Sequence, residues 1–150
     1  MPVFITPDGA VIDESMEIMR WALRCNDPEC WLDGDDANLI DQIDNEFKHH
    51  LDRYKYADRN CTSAIAHRDA CLNILTAVDA RLALTPYLNG KPRSLTDIAI
   101  MPFVRQFAGI DRNWFDAQAI RPLQNWLSLV VDSSLFSETM VRMERWTGPA

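Results

Sequence analysis

Apolar and polar positions follow two different periods along this chain. Near the start, Val3-Phe4-Ile5 and Ala10-Val11-Ile12 are short apolar runs on either side of Thr6-Pro7-Asp8-Gly9. Pro presets the backbone for a turn, Asp supports it through its side chain, and Gly accepts a positive φ, so the segment predicts a β-hairpin. From Glu14 the period becomes helical. Met16, Met19 and Leu23 share a face that Ile18, Trp21 and Ala22 widen, and Asp13 is placed to cap the first turn. Pro28 lies beyond this helix, and Asp33-Gly34-Asp35-Asp36 predicts a loop followed by a cap.

After residue 36 the pattern is helical throughout. Leu39, Ile43, Phe47, Leu51 and Tyr54 recur every three or four residues with charged positions between them, which predicts an amphipathic helix. A second long helix is expected through Ile65, Leu72, Leu75, Val78 and Leu82, ending before Pro86. A turn-rich connection follows over residues 87–92. Ser94-Leu95-Thr96-Asp97 then opens another helix, with Ser94 as N-cap and Asp97 at N3, a capping box with Asp in place of Glu. Ile98, Met101, Val104 and Arg105 continue it; Pro102 is expected to kink it and Gly109 to end it. A final helix from Pro122 turns Leu123, Trp126, Leu127 and Val130 inward. A hairpin with one helix is too small to stand alone in water. It must pack on the helical part or draw its neighbours from elsewhere.

Composition narrows the function. The 150 residues carry a formal charge of −7 and are 47% apolar, enough for one sizeable core. Net acidity argues against nucleic acid, whose phosphates need a Lys/Arg surplus. No apolar run approaches the roughly 18 residues of a membrane span, and the start lacks a signal-peptide pattern. A cytoplasmic protein with reduced cysteines is therefore expected. Cys25, Cys30, Cys61 and Cys71 form no Cys-x-x-Cys pair, so neither a zinc ribbon nor a thioredoxin-type redox pair is supported. His49 and His50 point about 100° apart on a helix and do not converge on one ion. They read as a solvated helix face, His67 reads as isolated, and no metal site is expected. Arg105 is placed to pair with an acid.

Two segments resemble the glutathione transferase family, especially its bacterial members. Pro2-Val3-Phe4-Ile5, Asp8-Gly9 and Ile12-Asp13-Glu14-Ser15-Met16-Glu17-Ile18 are similar to the second half of that family's thioredoxin-like domain. Ser94-Leu95-Thr96-Asp97-Ile98-Ala99-Ile100-Met101-Pro102-Phe103-Val104-Arg105-Gln106-Phe107 resembles the buried, capped helix of its all-helical C-terminal domain. Arg121-Pro122-Leu123-Gln124-Asn125-Trp126-Leu127 resembles that domain's last long helix. The resemblance implies a mainly α fold: a helical bundle over residues 35–150, preceded by a β-hairpin and helix from a partial thioredoxin-like domain over residues 1–34. In the family, a β-α-β unit carrying the thiol-activating Tyr, Ser or Cys precedes the Pro-Val strand. Here Met1 stands before Pro2, so the chain resembles a transferase without that unit.

The resemblance also implies a ligand. Glutathione's γ-glutamyl end would sit on Glu14 and Ser15, Val3 would offer backbone groups to its cysteinyl part, and Pro2 would be cis. Helix-start N–H groups favour a carboxylate, which suits Ser15. The same residues serve equally as ordinary helix-start residues. No catalytic residue is assigned. Tyr54 and Tyr56 could donate to a bound thiol, although packing accounts for them more simply. No tightly bound cofactor is expected. Two functions follow: a non-catalytic binding or assembly module, or a glutathione-dependent transferase or reductase completed by dimerisation or a second chain. An exposed strand edge at residues 3–5 would recruit another strand, which points to a homodimer.

Overall fold

The computed structural model describes residues 3–56 and 62–143. Pro2 and Cys61 lie outside the described residues. The chain forms a small hairpin, a helix, and then a helical bundle.

Strands β1 (Phe4–Ile5) and β2 (Val11–Ile12) pair antiparallel, with Phe4 opposite Ile12 and Ile5 opposite Val11. The turn closes as its residues require. Thr6 and Ala10 are joined through the Thr6 N–H at 2.9 Å, the Thr6 hydroxyl donates to Asp8, and Gly9 adopts φ +87°. The hairpin rests on helix α1 (Ser15–Cys25) through Phe4 and Trp21, whose ring centroids are 4.7 Å apart. Helix α1 begins one residue later than the pattern suggests. Glu14, not Asp13, is the N-cap residue, and it makes no side-chain cap hydrogen bond. Met16, Met19 and Leu23 do share the inward side, but none of α1 is fully buried.

A short 3-10 turn (Trp31–Gly34) leads into the bundle. Both oxygens of Asp27 accept from its first N–H groups, those of Trp31 at 2.8 Å and Leu32 at 2.9 Å. Arg20 of α1 grips Asp35 in a two-pronged pair at 2.8 and 3.0 Å, tying the ββα end to the following segment. Asp36 then caps the next helix by accepting from the Leu39 N–H at 3.2 Å. That helix runs as α2 (Ala37–Gln42), a wide π turn (Ile43–Phe47) and α3 (Lys48–Tyr56). Ile43, Phe47, Leu51 and Tyr54 are buried as expected; Ile40 takes the innermost place at the helix start and Leu39 is only half-buried.

Helix α4 (Thr62–Leu82) packs along α3 and carries Leu75, Val78 and Leu82 into the core, joined by Ala64 and Cys71. Ile65, expected inside, is exposed. Helix α5 (Leu95–Ile110) runs through the centre of the bundle, with Ile100, Val104 and Phe107 almost wholly enclosed. Pro102 lies inside this helix and does not end it, and Gly109 falls one residue short of its last position. The short helix α6 (Arg112–Asp116), the longer α7 (Arg121–Val131) and the short α8 (Ser134–Thr139) complete the bundle. Phe107 is the hub of an aromatic group, with Phe47, Tyr54, Trp114 and Phe115 at centroid distances of 5.7–6.2 Å.

Two carboxylates join separate helices. Asp79 of α4 accepts from the Leu123 N–H at 2.8 Å, in the first turn of α7, which Pro122 also helps to start. Asp97, with no exposed surface, accepts four hydrogen bonds. These come from Ser94 N–H (2.9 Å), Ser94 Oγ (2.7 Å), Leu88 N–H (3.0 Å) and the Trp126 indole N–H (2.8 Å). Ser94 and Asp97 thus form the expected capping box, and its acid also binds the preceding loop and α7. A stranded buried donor costs about 1–3 kcal/mol. Asp97→Ala is therefore expected to lower unfolding free energy by at least about 3 kcal/mol, and Trp126→Phe by about 1–2 kcal/mol. Urea unfolding measures both, and an Asp97→Ala loss within about 1 kcal/mol would contradict this account.

Candidate functional site

Of the residues assigned to a ligand, Val3, Glu14 and Ser15 meet at one end of the hairpin. Extending the strand register by one position places Val3 opposite Asp13, next to Glu14 and Ser15. Val3, Glu14 and Ser15 are all exposed. Ser15 opens α1, and the Ile18 N–H is bonded to the Glu14 carbonyl at 3.0 Å, so helical bonding is established immediately behind it. The arrangement is a helix start with a hydroxyl and an acid beside a strand end. It can offer donors to a carboxylate and an acceptor to an ammonium.

The segment that follows α1 is firmly clamped to the start of α5. The Gly34 carbonyl accepts from Asn89 Nδ2 at 2.7 Å and from Thr96 Oγ1 at 2.6 Å, and Thr96 Oγ1 accepts from the Asp36 N–H at 2.9 Å. A Cβ at position 34 would lie 2.4 Å from the Ser94 Cβ, so only glycine allows this approach. Asp36 also accepts from Arg81 at 2.8 Å. The Arg81 hydrogen bond, helped by the Leu39 N–H, holds the Asp36 carboxyl below its ordinary value against a burial effect of opposite sign.

Other candidates separate clearly. Tyr54 is buried with its ring 5.9 Å from Phe107, whereas Tyr56 is exposed with Lys55 over its ring at 5.1 Å. Cys25 and Cys30 are exposed, and Cys30 adopts a left-handed backbone, φ 54°, ahead of the 3-10 turn. Cys71 is buried, and burial pushes its thiol up to about 12, which makes it an inert core residue. Arg105 does not pair with an acid among the described residues; it stacks over Phe136 at 5.1 Å.

The histidines require a correction. His67 is not isolated: its Nδ1 lies 2.8 Å from Nδ1 of His50, bringing α4 against α3. His49 stands beside both, at ring-centroid distances of 5.1 Å from His50 and 6.2 Å from His67, and its Nδ1 is 2.8 Å from an Arg53 nitrogen. The rings of His49 and His50 do not point apart as expected but meet edge to face, and the second helix brings a further partner to His50. Burial first, then His67 and His49, hold the His50 imidazole below its ordinary value, while Glu46 acts the other way. Among the described residues no three His, Cys, Asp or Glu side chains are grouped to hold a metal ion, and no helix is long and apolar enough to cross a membrane.

With hairpin, helix and capped bundle in view, comparison with solved structures defines the class. The chain has the glutathione transferase fold. It superposes on glutathione S-transferase III in apo form with a TM-score of 0.78 at 16% identity, over 99% of this chain and 76% of that one. A glutathione S-transferase from Rhodospirillum rubrum matches with a TM-score of 0.73 at 18% identity, over 96% of this chain and 71% of that one. A glutathione S-transferase-I bound with lactoylglutathione matches with a TM-score of 0.71 at 18% identity, over 87% and 69%. Neither a protein-family model nor a curated protein matches the sequence.

Because the Asp36 carboxyl is held low in the folded state, its contribution to stability is present above the ordinary carboxylate range near 3.9 and is lost as pH falls through the lowered value. Asp36→Asn is expected to lose stability at neutral pH and to flatten the acid limb of the melting-temperature profile below about pH 4. An acid limb identical to that of the parent would remove Asp36 from this role.

Proposed function

We propose that this chain is a binding and assembly module of glutathione transferase fold, with glutathione as its ligand. Residues 1–34 form its partial thioredoxin-like segment and residues 35–150 its helical domain. The observation that carries this reading is the shared fold over nearly the whole chain, which sets exposed Val3, Glu14 and Ser15 together at one hairpin end. The γ-glutamyl carboxylate would take the Ser15 hydroxyl and the first N–H groups of α1, Glu14 would accept from the ammonium, and Val3 would pair with the peptide backbone. Pro2, which lies outside the described residues, belongs to the same proposed site. A solved neighbour is described as bound to lactoylglutathione, which supports this ligand class.

No described residue is assigned a catalytic role. A thiolate needs a placed donor or positive charge, and Tyr54 faces the core while the exposed Tyr56 sits under Lys55. The second reading is a glutathione-dependent transferase or reductase completed by another copy or chain. It is favoured by the hairpin, whose Val3, Ile5 and Val11 side chains are exposed and whose β1 has one unpaired edge among the described residues. Such an edge recruits a strand. A homodimer through residues 3–5 satisfies it with the symmetry most oligomers adopt.

Glutathione at about 100 times its Kd is expected to add about 2.7 kcal/mol to folding stability, read as a rise in melting temperature that Ser15→Ala reduces. No shift at millimolar glutathione overturns the ligand assignment. Conjugation of a chloronitrobenzene by the purified protein would establish the enzymatic reading instead. Sedimentation at micromolar concentration is expected to give twice the 17.2 kDa chain mass, and Ile5→Lys to return it to one chain with the helical circular dichroism intact. A parent protein of single-chain mass rules the strand-paired dimer out.

A further inference from the structure

The chain contains three histidines, and all three stand within about one ring's reach of each other across the seam between α3 and α4. Two of them face nitrogen to nitrogen. We propose that His50 and His67 form a two-histidine site for a first-row divalent transition metal, Ni²⁺, Cu²⁺ or Zn²⁺, with solvent in the remaining positions.

The geometry supports this. In the metal-free pair one Nδ1 carries a proton and donates it to the lone pair of the other across 2.8 Å. Moving that proton to Nε2 of the same ring, the other neutral tautomer, leaves two Nδ1 lone pairs facing each other, both free to bind an ion beside the line that joins them. Metal–imidazole bonds of about 2.0–2.1 Å set at a right angle place the nitrogens about 2.9 Å apart, and a tetrahedral angle about 3.4 Å apart. The observed spacing of 2.8 Å is within a few tenths of an ångström of the first value, so the ion needs little separation of the helices and each ring turns by about 45° to face it. Imidazole suits these three metals and not Mg²⁺ or Ca²⁺, which prefer oxygen.

His49 is not a third ligand in this arrangement. Its Nδ1 is engaged by Arg53 at 2.8 Å, and the positive charge of that guanidinium also acts on His50. Glu46, one turn before His50, supplies the nearby negative charge that acts on it. Both His50 and His67 are half-buried, which leaves room for solvent ligands on the open side. The two ligands come from different helices, so a bound ion would tie α3 to α4.

The test uses the full chain without a histidine tag. Calorimetric titration with NiCl₂ is expected to show one ion per chain, and ZnCl₂ to raise the melting temperature by about 5 °C or more at 100 times its Kd. His50→Gln and His67→Gln should each weaken Ni²⁺ by about 100-fold, the gain a second linked ligand provides. His49→Gln should leave binding intact. Cu²⁺ electron paramagnetic resonance on the parent protein, which needs no variant to fold, should show coupling to two imidazole nitrogens. Coupling to one nitrogen, no binding below millimolar metal, or binding that survives in the His50→Gln/His67→Gln double variant (an adventitious ion only) overturns the proposal.

Discussion

The bundle depends on one enclosed carboxylate. Burying a charge is costly, and the cost is met only where every oxygen is well served. Asp97 meets that condition through donors from three parts of the chain: the loop at Leu88, the helix start at Ser94 and the α7 indole at Trp126. One oxygen receives both Ser94 groups and the other receives the Leu88 and Trp126 N–H groups. Aspartate suits this better than the glutamate usual in capping boxes, because its shorter stem keeps the carboxylate against the backbone while the far oxygen still reaches the neighbouring elements. The donors converge only when loop, α5 and α7 stand in one relation. Charge-assisted hydrogen bonds are stronger than neutral ones, so the site specifies that relation as well as stabilising it.

The start of α5 is also where the ββα end meets the bundle. Ser94 sits against the Gly34 backbone, Thr96 bridges Gly34 and Asp36, and Asn89 binds both the Gly34 carbonyl and the Ser94 hydroxyl. Arg20–Asp35 and Arg81–Asp36 flank this seam from the two sides. Polar contacts thereby tie α1 and the segment after it to the bundle, whereas the enclosed core is drawn from residues 40–130. The exposed start of α1 can thus be held in place without being buried itself.

What could be read from the sequence was local. The hairpin turn, the capping box at Ser94 and Asp97, and the inward face of α7 are each set by residues within a few positions of one another. The misreadings have local causes too. Asp13 carries the right chemistry for a cap, but the chain enters α1 with Glu14 in the extended conformation. Ile65 fits the period of α4 but falls on an outer side of that helix. The five-residue α6 and six-residue α8 are too short to establish a period. Trp126 and Leu88 as partners of Asp97, and His67 as the partner of His50, depend on how helices pack. No spacing along the chain contains that information. The proposed role of Glu14 and Ser15 rests on family resemblance, because an acid and a hydroxyl at a helix start are commonplace.

The hydrogen bond from Leu123 to Asp79 has a bearing on how the chain is made. The first turn of α7 borrows its acceptor from a helix that lies 44 positions earlier. During synthesis α4 leaves the ribosome first, so its acceptor is already waiting when α7 emerges. A circular permutant that placed α7 ahead of α4 would reverse this order and leave the start of α7 frayed until the chain was complete. The direction of translation and the placement of this carboxylate therefore work in the same sense.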